Sequence, residues 1–238
     1  MYTYIHPTIP RSMLNLLHIL PIIAFWHTIT TEIKKHKPNT DVVNNMVSAI
    51  HCVSYIVQYN FNYNMNYTIH VSIGYYIYDL IYLIQSIYAS NANHAIKSSA
   101  RLPTIFAIHH IVGMYLLYDM LILENAGPLP QIYNLAEISN LMLYVSSHLY
   151  KEYPTHKYAI SVSEFIQLIW YSYFRIIQVS VVIYQNKSFF VEYSVVCNCC
   201  FIMLYAMSIA WTGKLVKKNI VNIASWKRNK ASITTNDD

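Results

Sequence analysis

Six ionisable side chains stand deep within long apolar stretches of this sequence: His51, Asp79, the adjacent His109 and His110, Glu137 and Arg175. A charge at the centre of a membrane-spanning helix costs at least about 2.5–3.5 kcal/mol, so such residues face the interior of a bundle or a wet cavity. At about 1.5 Å of rise per residue, His51, Asp79 and the histidine pair lie about 10–15 Å from the basic ends of their helices, and Glu137 and Arg175 about 20 Å. Three histidines and an aspartate at one level form a set able to move a proton, because a carboxylate-oriented imidazole is a usable general base near neutral pH. The alternative use of that set is a buried polar network that fixes helix packing. Neighbouring residues point about 100° apart on a helix, so one of His109 and His110 should face a cavity while the other bonds to a neighbouring helix. Tyr75, Asp79 and Tyr82 share a face at i, i+4 and i+7 and are expected to line the same wall. Glu137 and Arg175, matched in depth on consecutive helices, are expected to form an ion pair, since each alone is an uncompensated charge in low dielectric. Direct contact with a lipid head group is the other role open to them.

The elements that must hold these residues are long apolar helices. The 238 residues are 55% hydrophobic and 11% charged, against about 25% charged in a soluble domain. Four glycines and eight prolines leave little material for a loop-rich β fold. Seven stretches approach the roughly 20 apolar residues a span requires: 12–31, 42–60, 68–89, 102–123, 132–150, 161–184 and 190–213. Between them lie Lys34-Lys35-His36-Lys37-Pro38, the polar cluster Asn60–Asn66, Ser90–Arg101, Gly127-Pro128-Leu129-Pro130, Lys151–His156 and Gln185–Ser188. The first stretch, interrupted by Pro21 and His27, lacks a small-residue cleavage site and is read as an uncleaved span. The expected fold is therefore all-α, a multi-pass transmembrane helical bundle.

Seven spans place the termini on opposite sides. One side then carries thirteen Lys and Arg, from Lys34 to Lys230, and the other only Arg11 and Lys187. By the positive-inside rule the C-terminus is cytosolic and the N-terminus lumenal. Both sequons, at Asn66 and Asn186, fall on the lumenal side. The basic residues flank apolar runs instead of forming one face, which argues against a nucleic-acid reader. Cys52, Cys197, Cys199 and Cys200 all fall within spans; Cys197-Asn198-Cys199-Cys200 lacks a second Cys/His pair at zinc spacing, so buried thiols are expected and no metal. Asp119, Glu124, His148 and Glu164 lie near span ends and read as interfacial. A proton-relay transporter would show inverted repeats or paired broken helices, and neither pattern is present. The abundance of Tyr, Ile, Asn and Lys reflects an AT-rich genome; were that genome viral, the membrane would be the host's.

Several segments resemble the TLC-domain family of lipid-handling membrane proteins. They are Asn45-Met46-Val47-Ser48-Ala49-Ile50-His51, Gly74-Tyr75-Tyr76-Ile77-Tyr78-Asp79-Leu80-Ile81, Ile108-His109-His110-Ile111-Val112, Glu137-Ile138-Ser139 and Phe174-Arg175-Ile176. The resemblance covers 42–220, with a preceding span and loop over 1–41 and a polar cytosolic tail over 221–238. It implies six helices forming a barrel around a lipid-accommodating tunnel, in the endoplasmic reticulum or a related membrane, with membrane lipids as partners and no cofactor. Ceramide synthases of the family pair their histidines with two aspartates on the next helix and use acyl-CoA as co-substrate. Here that helix reads Leu135-Ala136-Glu137-Ile138-Ser139-Asn140-Leu141, without aspartate, which is similar to the non-synthase members that act on lipid composition, sensing or trafficking. The resemblance implies His51, Asp79, His109 and His110 as a candidate general-base cluster, with Tyr75, Tyr82, Glu137 and Arg175 as candidate lipid contacts.

Overall fold

In the computed structural model, which describes residues 16–37, 39–92, 101–123 and 126–234, every regular element is helical. Asn39 starts the second helix by accepting hydrogen bonds on its side chain from the backbone N–H groups of Asp41 and Val42. Gly127 takes a left-handed φ of 53° at the turn before the fifth helix, and prolines at its first positions lack the N–H that a helix start leaves unpaired anyway. The elements are α1 (Leu16–His36), α2 (Thr40–Asn60), α3 (Met65–Ala92), α4 (Arg101–Ile122), α5 (Leu129–Glu152) and α6 (Lys157–Tyr171). A π-helical segment, Ser172–Gln178, joins α6 to α7 (Val179–Gln185); a short α8 (Lys187–Glu192) precedes α9 (Val195–Thr234).

Seven rods thus occupy the seven predicted stretches, with two differences. The sixth rod is not uniform, because its middle is π-helical. The last begins at Val195, after α8 and the extended residue Tyr193, and continues unbroken to Thr234, so most of the predicted polar tail is helix. Arg11, Lys97, Glu124 and the final four residues lie outside the described residues.

Six rods close a ring in the order α2, α3, α4, α9, α6, α5 and back to α2, while α1 packs outside against α3 and α2. Gly74 permits the α1 contact: a Cβ there would sit 2.5 Å from the Ile22 side chain. Trp26 seals the same seam, 1% exposed, with its ring N–H directed at the Val71 carbonyl. The ring buries polar as well as apolar side chains inside and is apolar outside. Buried positions include His51, Asn134, Glu137, Ser139, Ser146, Gln167 and Ser208, whereas Ile105, Ile108, Ile111, Phe165, Ile169, Ile202 and Ile209 face outward. Such apolar outer stripes have no place on a water-soluble monomer. Three segments, Thr104–Ile122, Lys157–Gln185 and Val195–Ala224, are long and apolar enough to cross a membrane by composition alone. The chain is a membrane protein. In α5 the inward polar residues Asn134, Glu137, Ser139 and Ser146 lower the apolarity of the helix.

Candidate functional site

The ring encloses a cavity of about 80 Å³, several times the roughly 10–15 Å³ that holds one water molecule. Each wall is graded in the same direction. On α4 the lining runs from His109 through Gly113 and Leu116 to Met120; on α5 from Asn140 and Glu137 to Ile132 and Leu129; on α9 from Ser208 to Leu204 and Phe201. Arg175 lies in the π segment, and Val179 follows it one turn later. The polar groups therefore meet at one level, and the apolar groups continue away from the basic ends of the helices for eleven residues of α4, about 16 Å. Phe190 of α8 packs against Ile132 and Val179 at that far end.

The expected ion pair does not form. Glu137 and Arg175 line the same cavity without approaching within 4 Å, among the described residues. The carboxylate of Glu137 accepts from the Tyr76 hydroxyl at 3.5 Å, and Tyr133 and Asn140 stand beside it. Tyr133 in turn donates to the Tyr76 hydroxyl at 2.7 Å, making a relay of two phenols and an acid. Arg175 donates from Nε to Ser208 Oγ at 3.0 Å and lines the cavity. A π turn carries more residues per turn than an α turn, so it re-aims the side chains it contains, and such segments recur at functional sites.

The histidines divide as their spacing requires. His109 lines the cavity, and His110 turns to α3, where Nδ1 lies 3.2 Å from Asp79 Oδ2. That contact is off the line of a hydrogen bond, since the same nitrogen meets no acceptor at acceptable geometry. His51 joins neither. It reaches Ser72 Oγ at 3.1 Å and stacks on Tyr75 with centroids 4.0 Å apart. Tyr76 separates the two histidines, stacked on His110 at 4.9 Å and tilted against His51 at 5.8 Å. The predicted single cluster is thus split by an aromatic ring that the helix period alone did not single out. Gly113 gives that ring its place, because a Cβ there would stand 3.2 Å from it.

Tyr75 and Tyr82 do not line the cavity. Tyr75 donates to Ser48 Oγ at 2.8 Å in the seam of α2 and α3, and Tyr82 lies under the Lys34 ammonium at the basic end. Two residues read as interfacial are held by α9 instead. Glu164 is buried, 2.7 Å from Lys218 Nζ and 2.6 Å from Asn222 Nδ2, because α9 extends past the expected span end. Asp119 accepts from the Tyr193 hydroxyl and from Cys197 Sγ, the latter at 3.2 Å. Of the thiols, Cys52 and Cys197 are buried, but Cys199 faces outward. No three His, Cys, Asp or Glu side chains converge as a metal site among the described residues.

No protein-family model, curated protein or solved structure matches this chain. The site must speak through its own geometry. It offers a graded slot, polar at mid-depth and apolar beyond, with one imidazole, one guanidinium and one hydrogen-bonded acid at its polar level.

The residues that sequence reasoning passed over are Tyr76, Tyr133, Asn140 and Ser208. Tyr133 and Asn140 had a readable signal, since both share a helix face with Glu137 at i−4 and i+3. Ser208 had none; its importance comes from the tertiary position of α9.

Proposed function

We propose that the protein is a seven-span integral membrane protein that takes a lipid into its helical ring and so acts on membrane-lipid composition, sensing or trafficking, in the manner of non-synthase TLC-domain proteins. The observation that carries this reading is the cavity graded from polar to apolar along the helix axes. An amphiphile has the same grading, and a small-molecule site is typically an apolar slot with a few placed polar groups. The endoplasmic reticulum or a related membrane is the proposed location, with the N-terminus lumenal and the basic ends of the helices cytosolic, as the charge asymmetry supports.

An N-acyltransferase is the second reading, favoured by one observation: His109 reaches the cavity. In that reaction an amine attacks the acyl-CoA thioester carbonyl, His109 takes the amine proton, and the CoA thiolate departs to be protonated by solvent. Among the described residues no carboxylate lies within ion-pair reach of His109 to orient it, which weighs against this reading.

The deciding experiment compares the lipids of cells expressing the wild type, His109→Ala and Leu116→Trp, alongside assays of purified protein with acyl-CoA and amine acceptors. Lipid handling without catalysis predicts a shift in cellular lipids that Leu116→Trp abolishes, and no product in vitro. Product formation lost in His109→Ala would establish the enzyme instead. Unchanged lipids across all three would remove both.

A further inference from the structure

We infer that the cavity selects an amphiphile with a compact oxyanion head, seated on Arg175, with its apolar part directed toward Met120 and Leu129. This rests on the lipid-handling reading and names the class of lipid.

The first ground is the asymmetry between the two charges on the wall. Glu137 is already served by the protein, through Tyr76, Tyr133 and Asn140. Arg175 is served only in part. Among the described residues it makes one hydrogen bond, from Nε, and no carboxylate lies within 4 Å of it, although Glu137 acts on it through space. A guanidinium has five N–H donors in a planar fork, and four of them are on the terminal nitrogens. Within a membrane such a donor set is costly unless an acceptor meets it. A carboxylate or phosphate accepts from a guanidinium in a bidentate fashion, which a hydroxyl or an ester carbonyl cannot match.

The second ground is how the fork is aimed. The Nε–Ser208 bond fixes the guanidinium plane from the α9 side, and Ser208 is itself 4% exposed and tied back to the Leu204 carbonyl at 2.8 Å. The guanidinium is thereby held as a preorganised receptor instead of a freely rotating charge. Beyond it the slot continues past Val179, Ile132 and Leu116 with no further charge.

The test uses the full chain in phosphatidylcholine nanodiscs with a photoactivatable dodecanoate probe. Dodecanoate, dodecyl phosphate and dodecanol serve as competitors. Crosslinks should map to α4, α5 or α9 residues of the cavity, and dodecanoate should compete at least about tenfold better than dodecanol. Arg175→Gln should make acid and alcohol equal, while Arg175→Lys, which keeps the charge and loses the fork, should retain part of the preference. Should Arg175→Gln fail to fold, the lysine variant and Ser208→Ala carry the comparison, each expected to narrow the acid preference. Dodecyl phosphate outcompeting dodecanoate supports the oxyanion site with phosphate as its head. Equal competition by acid and alcohol in the wild type, or an undiminished preference in the variants, overturns the anion inference and leaves lipid binding intact. No saturable crosslink in the cavity, with Leu116→Trp silent, overturns lipid binding as well.

Discussion

Tyr76 is the residue on which the site turns. Its ring divides His51 from His110, and its hydroxyl accepts from Tyr133 while donating to Glu137. Replacement by phenylalanine preserves the stacking and removes one oxygen, so Tyr133 loses its acceptor and Glu137 a donor. Buried groups left unpaired in this way cost about 1–3 kcal/mol. Tyr76→Phe should therefore lower the midpoint of thermal unfolding in detergent, and the loss should be smaller when Glu137→Gln is already present. Equal losses in the two backgrounds would show that the hydroxyl and the carboxylate are not coupled. The sequence singled out Tyr75 instead, because Tyr75 shares a helix face with Asp79 and Tyr82 and Tyr76 does not.

At the scale of the elements, close approach and helix type decide the geometry. The α1–α3 seam depends on Gly74, where an added methyl would meet Ile22 at 2.5 Å. Gly74→Ala is expected to destabilise the fold by about 1–3 kcal/mol, the range for overpacking. Combining it with Ile22→Ala should recover part of that loss, and a double-mutant cycle on unfolding midpoints reads the recovery directly. Full additivity would place the strain elsewhere. The π segment sets a second geometry, since Arg175 reaches Ser208 from within it. Helix ends and breaks were legible beforehand from charge runs, prolines and polar clusters. The π segment was not, because Ser172–Gln178 holds no glycine or proline to mark a change of helix type.

Over the whole molecule, the basic end of the bundle is tied together by ion pairs that link distant parts of the chain. Lys37, after α1, bonds to Glu152 at the end of α5 at 2.5 Å, and Lys151 lies 3.6 Å from Asp41 at the start of α2. The hydrogen bond from Lys37 holds the Glu152 carboxyl below its ordinary value of 4.5, and the same bond raises Lys37 above 10.5. A carboxyl depressed in the folded state adds stability that is present above 4.5 and lost as pH falls through the folded value. A raised lysine adds stability that is present below 10.5 and lost as pH rises past its folded value. Thermal midpoints measured across pH should thus fall at both extremes in the wild type. In Glu152→Gln the part of each fall owed to this pair should vanish; identical profiles for the two proteins would show that it is not coupled to folding. The proposed seven-span orientation belongs to the same scale. Protease added to the lumenal face of sealed microsomes should spare the C-terminal tail, and clipping there would invert the proposed topology.

The sequence by itself determined the helical class, the positions of the breaks and the membrane setting. These are local quantities, set by hydropathy, length and charge along one helix at a time. Tertiary structure alone decided that His109 and not His110 meets the cavity, that Tyr76 stands between the histidines, and that Arg175 turns to Ser208 while Glu137 turns to phenols. Those choices depend on how far each helix is rotated about its axis when it docks. A single π segment or one glycine contact changes that rotation without leaving a mark in composition.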